Sequence, residues 1–153
     1  MTKVSSGILV YKRLETGSKV LLLHLGGPFW AKKDSWTIPK GEVNDHEEDI
    51  MAARREFAEE VGLSAPQGEM VDLGMLPQSQ IKTNHIFAIE GDIDTSRFKC
   101  NEFEIEWPPK SGNIQRFPEC DKAEWFTLIE AKNKIMPAQA EFIDILKQKV
   151  ANI

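Results

Sequence analysis

The stretch from Gly41 to Leu63, GEVNDHEEDIMAARREFAEEVGL, places eight carboxylates in twenty-three residues. Like charges one helical turn apart repel each other. A chain that gathers so many must separate them by geometry or neutralise them with a partner. Asp45 in VNDHEED reads as a helix cap, and Glu48, three residues on, completes a capping box. Helical spacing then runs to Val61, and Gly62 is a natural stop.

Advancing about 100° per residue from Ile50 puts Ile50, Ala53, Phe57 and Val61 on one apolar face. Glu56, Glu59 and Glu60 fall on roughly the opposite side, with Asp49 earlier on that side and Arg55 at its border. Arg54 falls nearer the apolar side. The ordinary reading of a Glu-rich helix is a solvated polar face. Two features argue for chemistry instead. The Glu residues cluster with one another, and no Lys or Arg follows any of them by four residues. The preceding WTIPKG is a tight loop that brings backbone carbonyls and Lys40 beside the helix. Oxygen-only ligation suits Mg²⁺, with Mn²⁺ as a substitute. Mg²⁺ held by few carboxylates engages substrate phosphates, and Lys40 offsets their charge.

Around this stretch the chain alternates between strand and helix signals. VSSGILVYK and KVLLLHL read as partner strands across the turn LETGS. GGPFWAKKDSW reads as a loop. EMVDLGML and KTNHIFAIEGDI read as strands, and KAEWFTL as the last one. RFKCNEFEIEWPPKSGNIQRFPEC reads as irregular, broken by Pro108 and Pro109. IEAKNKI and PAQAEFIDILKQKV read as helices, the second opening at Pro137. The class is α/β or α+β with a mixed sheet, as a single domain over residues 1–153.

Composition limits the partners. The hydrophobic fraction of 41% suffices for a packed core. The net charge of −5 carries no basic footprint for nucleic acid. It argues against a long RNA and means that any anionic ligand needs local Lys, Arg or metal. No Arg-rich leader or membrane-length apolar run stands out. Cys100 and Cys120 read as reduced thiols of a cytoplasmic protein.

Gly41, Glu47, Arg55, Glu56, Phe57, Glu59, Glu60, Gly62 and Leu63 fit G-x5-E-x7-R-E-U-x-E-E-x-G-U, where U is apolar. In this the chain resembles the Nudix family, and the stretch 41–63 is similar to its box at every fixed position. HLGGPFWAKKDSWTIPKGE and FEIEWPPKSG resemble a bacterial branch labelled as nucleoside triphosphate pyrophosphohydrolases. The resemblance implies an α/β/α sandwich with a mixed sheet and a loop–helix–loop catalytic motif. It implies Mg²⁺-dependent hydrolysis of a nucleoside diphosphate linked to another group. Glu56, Glu59 and Glu60 would bind metal, joined by the Gly41 carbonyl. Arg55 would orient a cluster carboxylate, while Glu47 and Gly62 would support the motif's shape. Glu59 is the preferred general base, with Glu119 and Glu104 as outside candidates.

Substrate choice lies beyond the box. Members selective for dinucleoside polyphosphates tend to carry a Tyr where this chain has Ser79, Gln80 and Ile81. Members selective for ADP-ribose tend to carry a Pro near the position of Pro77. Trp36 and Trp107 are placed where loops can stack on a base, with core packing as the competing reading. Lys33, Lys32, Lys82 and Lys110 are candidates for polyphosphate. His24 and His85 read as satisfied strand histidines. The expected substrate is a nucleoside triphosphate or dinucleoside polyphosphate. Competing readings are an ADP-ribose-type pyrophosphatase, removal of pyrophosphate from an RNA 5′ end, and a nucleotide sensor without turnover. Monomer and homodimer are both open.

Overall fold

The computed structural model describes residues 3–153. Among the described residues, nine strands and three α-helices follow one another along the chain. They are β1 (Lys3–Leu14), β2 (Gly17–Leu25), β3 (Trp36–Thr37), β4 (Lys40–Glu42), α1 (Asp49–Val61), β5 (Val71–Pro77), β6 (Lys82–Glu90), β7 (Glu102–Glu106), β8 (Ile114–Pro118), β9 (Cys120–Thr127), α2 (Leu128–Lys134) and α3 (Glu141–Lys149). Residues Ile8–Tyr11 and Val20–Leu23 are buried without a break. Such runs belong to strands covered on both faces. Alternate side chains divide between those faces. Leu9, Tyr11, Val20 and Leu22 join one core, and Ile8, Val10, Leu21 and Leu23 join the other.

The main sheet runs β3-β2-β1-β6-β5, with β4 added to β1 and β9 to β2. Only the pairing of β1 with β6 is parallel, so the sheet is mixed, as expected. One edge of β1 is shared. Ser5–Gly7 pair with β4, and Tyr11–Leu14 pair with β2. Between them the Ile8 amide donates to the Pro39 carbonyl. The loop before α1 is thereby fastened to the centre of the sheet.

Helix α1 packs Ala53, Phe57 and Val61 into one core. Leu128 and Ala131 of α2, with Phe142, Ile143 and Leu146 of α3, pack into the other. The result is helices on both faces of a mixed sheet. Phe57 and Phe142 are fully buried, and burial of each contributes roughly 1.5–3 kcal/mol.

Three expectations are corrected. Residues 97–120 are not irregular throughout. Glu102-Phe103-Glu104-Ile105-Glu106 alternates and pairs with β8 in a two-stranded sheet, while Pro108 and Pro109 are confined to its turn. The helix after VNDHEED has no capping box. Glu48 is the cap residue and its side chain makes no cap bond. The Glu47 carboxylate instead accepts from the Asn44 amide at 3.0 Å, so the loop is closed one residue earlier than the box would close it. The true capping box lies at Thr127 and Glu130, at the head of α2. Finally, Pro137 opens a 3-10 turn, Pro137–Gln139, before α3. Gly62 does end α1 with φ of 80°, a left-handed stop.

Candidate active site

The site is built where the β4 loop meets α1. Lys40–Glu42 pair with Ser5–Gly7 of β1, and α1 packs against both strands. Ser6 Oγ donates to the Asp49 carbonyl at 2.6 Å, tying the start of α1 to β1. Arg55 then organises the loop. Its Nε and Nη2 donate to Glu47 at 2.9 and 3.0 Å, and Nη2 also donates to the Glu42 carbonyl at 2.9 Å. Its Nη1 donates to Glu56 at 2.7 Å and, more weakly, to Glu59 at 3.4 Å. Hydrogen bonds from Arg55, and then from the Asn44 amide, hold the Glu47 carboxyl down to about 2. Arg54 reaches past the core edge, as its helix position requires, and donates to the Pro66 carbonyl at 3.3 Å.

Glu56, Glu59, Glu60 and Glu119 line one cleft with Gly41, Lys40 and Lys82. Glu60 departs from the expected open face. It is only 8% exposed, because four positions after Glu56 it has turned back toward the sheet. Burial pushes its carboxyl up to about 8, against the pull of the Lys40 amide that donates to Oε2 at 3.0 Å. Burial also raises Glu56, with Arg55 opposing and Glu59 adding repulsion. Glu119 is raised by burial and then by the charges of Glu56 and Glu59. Burial lowers Lys40, with Glu60 pulling it back. Negative charge is gathered here at a cost.

Gly41 is shaped to this cluster. A Cβ there would overlap the Glu56 carboxylate, so the backbone and that carboxylate share space only because residue 41 has no side chain. Among the described residues, no three His, Cys, Asp or Glu side chains are drawn together into a closed coordinating set. Arg55 holds Glu56 on one side and the Lys40 amide holds Glu60 on the other. The donors are nonetheless all oxygen, carry excess negative charge and face one cleft. That fits a hard divalent cation.

Glu119 reaches the cluster by a route that composition and periodicity do not reveal. The Asn101 amide donates to the Glu59 carbonyl, and the Glu119 amide to the Asn101 carbonyl. The segment before β9 is thus laid against the end of α1. Glu104, the other outside candidate, lies on β7 near Arg116 at 3.8 Å and does not line this cleft.

A second cleft of about 310 Å³ adjoins the first. Lys40, Glu60, Lys82 and Glu119 line both. The aromatic wall is Trp30. Trp36 is not in it. At 4% exposure it packs edge-on against His24 and Phe126, and its indole N–H donates to Asp34 at 2.7 Å. Trp107 is also displaced from the carboxylates. It packs edge-on against Phe29 at 5.2 Å, beside a separate apolar hollow next to the β7–β8 hairpin. Lys33 lies with Nζ 4.9 Å over the Trp30 ring and lines neither carboxylate-facing cleft. His24 and His85 are both satisfied, His24 by Asp121 at 2.6 Å and by the Lys33 carbonyl. Cys100 and Cys120 are free and buried. Among the described residues, no helix is long and apolar enough to cross a membrane.

A family model described as NUDIX domain matches residues 1–146. The chain belongs to the NUDIX family, and in catalytic class it is a pyrophosphohydrolase. Solved structures share the fold. The NUDIX domain of Shewanella oneidensis NrtR complexed with ADP ribose has a TM-score of 0.65 at 12% identity, covering 97% of this chain and 88% of that one. A Caenorhabditis elegans (C. elegans) Ap4A hydrolase binary complex has a TM-score of 0.63 at 17% identity, covering 99% and 100%. A MutT/nudix family protein from Enterococcus faecalis has a TM-score of 0.56 at 17% identity. It covers 82% of this chain, which spans only 44% of that one. Comparison with the curated proteins gave no match.

Proposed function

We propose that this protein hydrolyses a pyrophosphate bond in a nucleoside diphosphate linked to another group, a nucleoside triphosphate or dinucleoside polyphosphate, with Mg²⁺. One observation carries the reading: Glu56, Glu59, Glu60 and Glu119 share a cleft with Lys40 and Lys82. Glu56, Glu59 and Glu60, with the Gly41 carbonyl, would hold the cation, for which Mn²⁺ can substitute. When bound, such an ion neutralises phosphate charge and lowers the pKa of a water. Lys40 and Lys82 bind phosphate oxygens. Arg55 fixes Glu56 from the side away from substrate, and Glu47 fixes Arg55. Glu59 takes the proton from the water that attacks phosphorus in line. ADP ribose and Ap4A, named with two structures of this fold, fall within the same substrate class.

A panel of nucleotides with Mg²⁺, its products identified by mass, tests this reading. Release of phosphate, pyrophosphate or a nucleoside monophosphate supports it. Saturable binding without turnover at any metal concentration would favour a sensor. Turnover of 5′-triphosphorylated RNA alone would favour the RNA reading, which the net charge of −5 opposes. Two free thiols suit a reducing compartment such as the cytoplasm.

A further inference from the structure

Two thiols beside the carboxylate cleft take no part in the hydrolysis proposed above. Strands β7 and β8 pair Phe103 with Phe117 and Glu102 with Pro118. One step further along, the Glu119 amide donates to the Asn101 carbonyl at 3.2 Å. The same register then sets Cys100 opposite Cys120. Opposed residues of antiparallel strands stand about 4.5–5.5 Å apart at Cα, inside the window of about 4.4–6.8 Å that a disulfide spans. The two free thiols lie within hydrogen-bond reach of each other.

Their surroundings differ. Cys120 is 2% exposed, whereas Cys100 is 9% exposed and lines an open cleft with Lys99 and Arg116. Cations beside a partly exposed thiol favour its reactive thiolate. A hydrogen bond from the Cys120 thiol holds the Cys100 thiol below its ordinary value, against the effect of burial. The same bond, and then burial, pushes the Cys120 thiol up. Cys100 is thus the sulfur that ionises first and meets small solutes, with Cys120 behind it. Each is tied to the carboxylate cleft. The Cys100 thiol donates to Asn101 Oδ1 at 3.4 Å, and the Asn101 amide donates to the Glu59 carbonyl at 3.2 Å. Cys120 follows Glu119 in the chain and lines the second cleft with Lys40 and Glu60.

We propose that Cys100 and Cys120 form a peroxide-oxidisable dithiol whose disulfide distorts the carboxylate cleft and lowers hydrolysis. The Cys100 thiolate attacks one oxygen of hydrogen peroxide. The O–O bond breaks, and the departing hydroxide takes up the proton that Cys100 released and leaves as water. Cys100 is then a sulfenic acid. The Cys120 sulfur attacks the Cys100 sulfur, so that the S–S bond forms and the S–O bond breaks. The Cys120 proton leaves with that hydroxide as a second water. Two thiols give up two electrons in all, and one peroxide accepts them. Joining the sulfurs draws positions 100 and 120 together and shifts their neighbours Asn101 and Glu119. A thiol reductant reverses the change. The effect on turnover rests on the hydrolase reading above, whereas the disulfide itself does not.

The test treats the folded, reduced wild-type chain with a small molar excess of hydrogen peroxide. Peptide mass mapping reads the disulfide, and nucleotide turnover with Mg²⁺ reads the cleft. The expected product is a chain lighter by two hydrogens, with Cys100 joined to Cys120. Its turnover should be lower by about fivefold or more, the scale of small misplacements at a catalytic site, and should return with dithiothreitol. Cys100→Ala and Cys120→Ala should match the wild-type chain when reduced and keep their turnover under peroxide. Cys100→Ser and Cys120→Ser serve as second variants where alanine lowers Tm. Three outcomes would overturn the proposal: thiols that stay unjoined under peroxide, a disulfide that leaves turnover unchanged, or an equal loss in the single-cysteine variants. A nucleotide panel without turnover in the reduced chain defeats the hydrolase reading alone. The mass map still judges the disulfide, and the Mg²⁺-induced shift in Tm then judges the cleft, an equal shift in reduced and oxidised chains counting against the proposal.

Discussion

Gly41 lies so close to Glu56 that a methyl group on the one would occupy the space of the other's carboxylate. Gly41→Ala should therefore displace Glu56 from Arg55 while leaving the core intact. The expected outcome is a loss of turnover of about tenfold or more, the scale on which small misplacements act on catalysis. Steady-state kinetics beside circular dichroism will show it. Wild-type turnover in Gly41→Ala would mean that Glu56 has room to spare.

Of Glu56, Glu59 and Glu60, Glu59 has the loosest protein contact, a 3.4 Å approach by Arg55. Glu59→Gln should lower kcat by about 10²–10⁴, as loss of a general base does, with Tm close to that of the wild-type chain. Activity within a few-fold of wild type would remove Glu59 from the role.

Arg55 bonds to Glu42, Glu47, Glu56 and Glu59. An ammonium group cannot reproduce that planar fork. Arg55→Lys should lose roughly as much turnover as removal of a single charge-assisted hydrogen bond, about 1.5–3 kcal/mol in activation free energy. Equal kcat/KM in the two proteins would contradict an orienting role for Arg55.

Burial and mutual repulsion raise Glu56, Glu60 and Glu119 together. A divalent cation relieves both. Millimolar Mg²⁺ should raise Tm through linkage, and a chelator should reverse the shift. An unchanged Tm across the titration would count against a preformed cation site.

His85 bridges Asp49 at 2.6 Å and Asp72 at 2.9 Å, joining the head of α1 to β5. Burial works against its charge, but the two carboxylates outweigh it and raise the imidazolium above its ordinary 6.5. The folded state thus holds the proton more tightly than the unfolded chain. The resulting stabilisation is complete below pH 6.5 and is lost as pH rises through the folded value. Denaturation curves should show stability falling as pH rises above 6.5 in the wild-type chain and a flatter profile in His85→Gln. Parallel profiles would dismiss the bridge.

Periodicity and the box motif made α1, its Gly62 stop and the central strands legible in advance. Those features are set by local spacing. The angle count misplaced Glu60, because a helix seated on a sheet offers no single open side, and the position between Glu56 and the core is partly covered. The β7–β8 hairpin was hidden by its prolines, which break the pattern only at the turn. Trp36 and Trp107 drew attention as loop aromatics. Residue type does not tell a ring that caps the core from one that meets a ligand, and Trp30, two residues after Pro28, held the place instead. Gln78 and Asn84 were out of reach for another reason. The Asn84 side chain donates to Gln78, which lines the second cleft, and such pairings exist only once the sheet has formed.

The residues common to the two clefts are Lys40, Lys82, Glu60 and Glu119. When all four are ionised, they form an electrically even threshold between one cleft crowded with carboxylates and another walled by Trp30 and Met136. On a chain whose net charge is −5, most approaches repel an anion. A phosphate chain entering past Trp30 would meet Lys40 and Lys82, with Glu60 held largely neutral by burial near pH 7, before it meets Glu56 and Glu59.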